Sequence, residues 1–189
     1  MKIAGLIILN LWGYFAIAQN TPKSFVVAAE FNKDEAIYEA KSYVALQVFG
    51  NSEAVLKFEI DALTATTSGE LTTIYYNSPD KKEEGIVFCF YGNYWNDKGV
   101  VYKGYAFRHF NGDKARSFIT KLNNCIADNE KYMYANKVNN NAYFTFEDIT
   151  VLAYVADAIK FRLIWNGFDA DWDLNSFKKT QKRFASKAE

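Results

Sequence analysis

The chain has 189 residues, of which 50% are hydrophobic and 17% aromatic, and its 22 lysines and arginines balance 22 aspartates and glutamates. This composition excludes an intrinsically disordered chain, because such chains have too few apolar residues to form a core. The balanced charge argues against a nucleic-acid-binding protein, which concentrates positive charge to neutralise phosphates.

The first eighteen residues have the pattern of a cleavable secretory signal. Lys2 precedes the apolar stretch 3–18, in which Ala16 and Ala18 provide the small residues at positions −3 and −1 of a cleavage site. A membrane-spanning helix needs about 20 apolar residues, and the polar stretch that begins at Gln19 comes too early for one. We therefore expect a signal peptide at residues 1–18, cleaved after Ala18.

Cleavage at this position predicts a secreted or periplasmic protein with no transmembrane segment. The remaining residues, 19–189, are enough for one domain with a sizeable core. No internal repeat and no linker divide this stretch, so a single domain is predicted.

Hydrophobic periodicity predicts five strands and one helix in the first half of the domain. The helix begins at a capping box, in which Asn32 and Glu35 satisfy each other's backbone N–H groups, and it ends at Gly50. Residues 96–99, with the sequence Asn-Asp-Lys-Gly, predict a tight turn that joins the last two strands as a hairpin. The predicted strands are 24–31, 56–61, 71–76, 86–91 and 100–109.

Two helices and three strands are predicted in the second half. Asp113 is the predicted N-cap of a helix whose apolar face extends to Ile126, and the asparagine-rich stretch 128–141 is predicted to be a loop. The carboxylates at residues 171–173 predict the start of the last helix, because negative charge is favourable at a helix N-terminus. The predicted strands are 143–146, 150–155 and 159–165.

Together these elements predict an α+β domain: a largely antiparallel sheet of about seven to eight strands, with three helices packed on it. Most connections between consecutive strands are short. Short connections form hairpins, which join antiparallel neighbours.

Cys89 and Cys125 are the candidates for a disulfide in an oxidising compartment. Closing the loop of about 36 residues between them would contribute about 3–4 kcal/mol. The alternative is that both thiols are buried and act as small hydrophobic groups. Neither has another cysteine or a histidine near it in the sequence, so no zinc site is predicted.

No motif for catalysis, for a cofactor or for a metal occurs in the sequence. His109, the only histidine, stands near Asp113 and Ser117, but a catalytic triad is defined by geometry and not by such spacing. Residues 169–173 have the D-x-D-x-D opening of a calcium loop, yet the glycine and glutamate that an EF-hand requires do not follow. We predict no catalytic residue, no metal and no cofactor, and favour a binding protein over an enzyme.

The surplus of aromatic residues is the feature that points most directly to function. Several of them stand where turns or loops are predicted, and rings on exposed loops anchor binding surfaces. The alternative is that these rings fold back and cap the ends of the sheet. The candidate binding residues are Tyr94, Trp95, Tyr132, Tyr134, Phe168 and Trp172.

The outer side of the last predicted helix is basic. These cations complement the dipole at the C-terminal end of the helix, or they form a docking strip for an acidic partner or an anionic membrane surface. The residues are Lys178, Lys179, Lys182, Arg183 and Lys187.

The sequence favours an exported, non-enzymatic binding or interaction protein. Its ligand is expected to be a small apolar molecule, a glycan or a partner protein, held through the aromatic loops. The first alternative is an extracellular hydrolase that uses a carboxylate pair without a recognisable motif. The second is a structural component of a surface assembly, which predicts exposed strand edges or a self-complementary patch.

Overall fold

The computed structural model describes residues 25–95 and 99–187. The predicted signal peptide and residues 96–98 of the predicted turn lie outside the described residues. The described strands are β1 (Val26–Val27), β2 (Glu59–Ala65), β3 (Leu71–Ser78), β4 (Glu83–Trp95), β5 (Val101–Asn111), β6 (Ala142–Phe146), β7 (Ile149–Val155), β8 (Ile159–Trp165) and β9 (Phe168–Asp173). The helices are α1 (Lys33–Tyr43), extended by a π-helical turn (Val44–Phe49), α2 (Gly112–Ala135) and α3 (Leu174–Ala185).

The predicted α+β class and antiparallel pairing are confirmed, but the strands form two sheets instead of one. The large sheet has the order β1-β5-β4-β3-β2, and the small sheet has the order β6-β7-β8-β9. All neighbouring strands in both sheets are antiparallel. The strand that the sequence did not predict is β9.

The large sheet is covered on both faces. Side chains alternate along β4, so that Phe88 and Phe90 point to one face while Val87 and Cys89 point to the other. The first face packs against the small sheet, α2 and α3, and the second packs against α1 and its π-helical turn. This double coverage explains the continuous apolar sequence of 86–91, which predicted a strand buried on both faces.

Aromatic rings fill the space between the two sheets. Phe88 makes edge-to-face contacts with Phe110, Phe118 and Trp172 at centroid distances of 5.4, 5.7 and 5.9 Å. Trp172 in turn contacts Phe177 of α3 at 5.3 Å. Because such pairs contribute about 0.5–1.5 kcal/mol each beyond the burial of their area, this cluster is a major source of stability.

Side-chain caps determine where the helices begin. At α1, Asn32 accepts a hydrogen bond from the Glu35 N–H and Glu35 accepts one from the Asn32 N–H, which confirms the predicted capping box. At α2, the N-cap is Asn111 and not the predicted Asp113, because Asn111 Oδ1 already accepts the Lys114 N–H at 3.0 Å. Asp113 lies inside the first turn, where its charge complements the helix dipole.

Two further boundaries differ from the predicted ones. Helix α2 continues to Ala135, through part of the predicted loop 128–141, because Met133 is buried in the core and holds the last turns against it. Strand β1 is much shorter than the predicted 24–31, because the chain leaves β5 after Ala28 to reach the cap of α1.

The two cysteines are free, so the disulfide considered for them is not formed. Cys89 points to the α1 face of the large sheet, whereas Cys125 packs with α2 against the opposite face. The sheet itself therefore separates the two sulfur atoms. Burial raises the pKa of both thiols, which keeps them protonated and unreactive at neutral pH.

Candidate functional site

The six candidate binding residues divide into a buried and an exposed group. Phe168 and Trp172, with exposed fractions of 1% and 0%, are core residues and cannot contact a partner in this conformation. Tyr94 is also buried, at 8% exposure. The three exposed candidates are Trp95, Tyr132 and Tyr134.

The burial of Phe168 and Trp172 follows from their place in β9. Asn166 and Gly167, whose φ angles are 48° and 82°, form the two-residue turn that folds β9 back onto β8. Alternation along β9 then directs both rings toward the large sheet.

The exposed Trp95 belongs to an apolar patch at the turn end of the β4–β5 hairpin. Trp95 pairs with Val101, and the next pair along the hairpin is Tyr94 with Tyr102. Strand β1 lies beside β5 and adds two valines to this end. We define the hairpin patch as the residues here that are 42–63% exposed: Val26, Val27, Trp95, Val100, Val101 and Tyr102.

The hairpin patch extends over both faces of the large sheet. The strand register places Trp95 and Val101 on the face that carries α1, whereas Tyr102 lies on the opposite face. Further along β5 on the α1 face, Tyr105 and Phe107 are only 7% and 5% exposed. Among residues 25–95 and 99–187, other elements therefore cover this face in the middle of the hairpin and not near the turn.

Buried rings fix the position of the hairpin end. Tyr94 contacts Phe25 and Phe168 at centroid distances of 4.5 and 5.5 Å. A side chain on Gly167 would come within 2.9 Å of the Tyr94 ring and 3.0 Å of the Trp95 carbonyl oxygen, so the β8–β9 turn packs closely beneath the hairpin. The base of the patch is thus packed against the protein core, and such support lowers the entropic cost of binding.

Polar side chains border the hairpin patch on the α1 face. Asn93 pairs with Lys103, and both are exposed. The Lys103 Nζ lies 5.0 Å from the centroid of the Tyr91 ring, and the Tyr91 hydroxyl donates to the Ala29 carbonyl at 2.6 Å. An apolar centre with a polar rim is the composition of a protein–protein interface.

The other two exposed candidates lie near the C-terminal end of α2. Tyr132 is 53% exposed, and Asn140 donates to its carbonyl oxygen at 2.7 Å. Tyr134 is 39% exposed and lies under the Lys137 Nζ, at 5.4 Å from the ring centroid. Within the described part of the chain, no ring contact joins either tyrosine to Trp95, so we do not include them in the hairpin patch.

The carboxyl groups whose pKa values are shifted do not have the properties of a general acid. Burial alone would raise the pKa of Asp148, but hydrogen bonds from Trp165 and Arg108 outweigh burial and lower it. The pKa of Asp173 is lowered in the same way, because bonds from Ser176 outweigh burial. Both groups are ionised at neutral pH, whereas a general acid needs a raised pKa.

Each of the three aspartates in the D-x-D-x-D segment makes a structural contact. Asp169 pairs with Arg162, Asp171 accepts the Tyr154 hydroxyl at 2.9 Å, and Asp173 caps α3. Across residues 25–95 and 99–187, no group of three or more His, Cys, Asp or Glu side chains is arranged to hold a metal ion.

His109 is enclosed between the large sheet and α1. Its Nδ1 lies 2.9 Å from the Tyr43 hydroxyl. Burial raises the pKa of this hydroxyl to about 12, so it is protonated at neutral pH. Burial, and then the positive charges of Arg108 and Lys114, lower the pKa of His109 to about 4. The ring is therefore neutral at pH 7.

This neutral histidine predicts a loss of stability in mild acid. The unfolded chain binds a proton at the ordinary histidine pKa of about 6.5, so the free energy of unfolding should fall as the pH decreases from about 6.5 to 4. We expect His109 to contribute about 1–2 kcal/mol of this loss, since the ring is not fully buried. Urea unfolding at pH 7 and pH 4.5 measures the loss of stability. His109→Gln should have a smaller loss, and an equal loss in both proteins would contradict the assignment.

Comparisons with known proteins do not identify the chain. No protein-family model matches it, and searches of curated proteins and of solved structures found no match. None of the helices in the described ranges has the length and apolar character needed to cross a membrane. The candidate surface therefore depends on the geometry of this chain alone.

Proposed function

We propose that this protein is an exported, non-enzymatic interaction protein that binds a partner protein through the hairpin patch. The observation that carries the proposal is the set of apolar side chains that remain 42–63% exposed at one end of the β4–β5 hairpin. Leaving apolar surface in water costs about 25 cal/mol per Å², and a partner that covers it recovers this free energy. Contiguous exposed apolar patches on soluble proteins mark interaction sites.

A partner protein fits the hairpin patch better than a small apolar ligand does. Small ligands bind in concave cavities that surround most of their surface. The patch instead covers both faces of a two-stranded hairpin end, with Trp95 on one face and Tyr102 on the other. A large partner can cover both faces at once.

The hydrolase alternative has less support. It requires a carboxyl group with a raised pKa next to an ionised carboxylate. The two described carboxyl groups with shifted pKa values, Asp148 and Asp173, are both lowered and both serve as hydrogen-bond acceptors that hold elements together. Neither carboxyl group therefore supports the hydrolase alternative, and we favour the binding role.

Export is the part of the proposal that depends on residues 1–18. The intact mass of the protein isolated from an exporting host should correspond to a chain that begins at Gln19. A mature chain that keeps residues 1–18 would contradict export by this route. This measurement is independent of partner binding.

Replacing Trp95 and Tyr102 together with alanine is expected to abolish partner binding. Aromatic residues at the centre of an interface contribute about 2 kcal/mol or more each, which corresponds to at least about a 30-fold loss of affinity per residue. The tagged wild-type protein and the double variant would be isolated from the native host under identical conditions. The partner that co-purifies would be quantified by mass spectrometry.

Tyr143→Ala is the matched control for this experiment. Its ring is 77% exposed on β6, the edge strand of the small sheet opposite β9. The control should keep the partner that the double variant loses, and thermal melting should show all three proteins folded. If the double variant keeps the partner, or if the control loses it equally, the patch is not the interface. A second copy of the chain as the partner would favour the surface-assembly alternative.

A further inference from the structure

A cleft of about 430 Å³ lies at the free edge of the large sheet, next to β2. Helix α1 borders it on one side and the end of α3 on the other, while β2 forms part of its floor. Sites for small molecules have volumes of about 300–1,000 Å³, so the cleft is large enough for a small ligand. It is lined by Lys33, Ile37, Asp61, Ala62, Arg183, Ser186 and Lys187, and it shares no residue with the hairpin patch.

The lining of this cleft carries a surplus of positive charge. Three of its residues are cations and one, Asp61, is an anion. Lys187 forms an ion pair with Asp61, with 2.9 Å between Nζ and Oδ2. Lys33 has no ion pair within the described part of the chain. Lys33 and Arg183 are therefore the cations of the lining that form no ion pair among the described residues.

Two of the cations are already held in place. The Arg183 guanidinium donates to the Leu63 carbonyl oxygen of β2. Lys187 is fixed by Asp61 and lies 5.3 Å from the centroid of the Tyr75 ring. Cations that are ordered before binding lose little side-chain entropy when they contact an anion.

Asp61 is the acidic residue that lines the cleft, and Glu59 and Glu84 lie near Tyr75 on the side of Lys187. Asp34 and Glu35 belong to the first turn of α1, but neither lines the cleft, and Glu35 is committed to the capping box. The exposed lysines Lys178 and Lys179 on the outer face of α3 add long-range attraction for an anion.

We propose that the cleft binds a small ligand through a phosphate or carboxylate group. Arg183 and Lys33 contact the anionic group, and Ile37 and Ala62 contact the apolar part of the ligand. Guanidinium and ammonium groups bind both kinds of anion through charge-assisted hydrogen bonds. The site is separate from the hairpin patch, so its existence does not depend on partner binding.

Titration of the full chain with pyrophosphate, and separately with succinate, tests the site. Two-dimensional NMR should show saturable amide shifts confined to the cleft residues of α1, β2 and α3. The stronger of the two probes identifies the phosphate or the carboxylate as the preferred group. Lys33→Gln should weaken the binding about tenfold, because a hydrogen bond to a charged group contributes about 1.5 kcal/mol or more.

Lys178→Gln is the control, since it removes one exposed charge from α3 without changing the lining of the cleft. It should bind the probe within about twofold of the wild type, because screened surface charges contribute little. Non-saturable shifts with both probes would overturn the site. Equal weakening by Lys33→Gln and Lys178→Gln would also overturn it, since this would show general attraction to a basic helix. Both variants replace exposed side chains and should fold.

Discussion

Replacing Trp172 with alanine is expected to lower the free energy of unfolding by about 3–5 kcal/mol. The indole is fully buried and makes edge contacts with Phe88 and Phe177 at 5.9 and 5.3 Å. Its removal leaves a cavity between two sheets and a helix, and paired strands cannot collapse into such a space. The indole Nε1 has no hydrogen-bond partner in the described residues, so the loss is one of packing.

Trp95→Ala is the matched control, because it removes the same side chain from a position that is 62% exposed. Its free energy of unfolding should change by less than about 1 kcal/mol. Urea unfolding of the two variants gives the comparison, and similar losses in both would contradict the assignment of one tryptophan to the core and the other to the surface. Trp172→Phe keeps an aromatic ring in place, so its free energy of unfolding should fall less than that of Trp172→Ala. This variant can be measured if the alanine variant does not fold.

Gly85→Ala is expected to cost about 3 kcal/mol, because β4 has no room for a methyl group at this position. The added Cβ would overlap the Phe110 carbonyl oxygen of β5, and it would lie 2.6 Å from the hydroxyl of Tyr76, the residue that pairs with Gly85 on β3. Because β4 is bonded on both sides, neither neighbouring strand can move away without breaking its ladder. The cross-strand tyrosine ring occupies the space that the glycine leaves, as aromatic residues often do beside strand glycines.

Gly92→Ala, on the same strand, is the control for this substitution. A Cβ at Gly92 meets no atom within 4 Å. Alanine there should be neutral or slightly stabilising, because it reduces the conformational freedom of the unfolded chain. Thermal or urea unfolding distinguishes the two variants. A Gly85→Ala protein as stable as the Gly92→Ala protein would contradict the packing described for Tyr76.

Local periodicity was sufficient to predict most of the strands. Residues 159–163 alternate between apolar and charged side chains because one face of the small sheet is buried, and this alternation indicates the burial directly. Strand β9 carries the same signal, in Phe168 and Trp172, after an Asn166-Gly167 turn that is typical of a hairpin. The carboxylates at residues 171–173 obscure this signal, because they predict a helix start and Asp173 does cap α3.

The division into two sheets could not be predicted from the same patterns. Alternation shows that one face of a strand is buried, but it does not show which other strand lies beside it. Here α2 separates β5 from β6 along the chain, and the sheets meet through side chains such as Phe88 and Trp172. The separation of Cys89 and Cys125 could not be predicted for the same reason. It depends on which face of the large sheet each element occupies.

The hairpin patch was predicted in part. Trp95 was a candidate because it stands beside a predicted turn, and it is exposed. Val26 and Tyr102 were not candidates, since their exposure depends on how far other elements cover the large sheet. Residue type alone could not have separated Trp95 from Trp172, because the two differ only in their tertiary surroundings.

Site-specific photo-crosslinking at position 101 tests the proposed interface most directly, because Val101 lies in the hairpin patch beside Trp95 and leaves both Trp95 and Tyr102 in place. A benzophenone amino acid would replace Val101 in one protein and Tyr143 in a second, and both proteins would be produced in the native host and irradiated there. An interface at the hairpin patch predicts a covalent product of defined mass from position 101 and none from position 143. No product from position 101, or the same products from both positions, would contradict it.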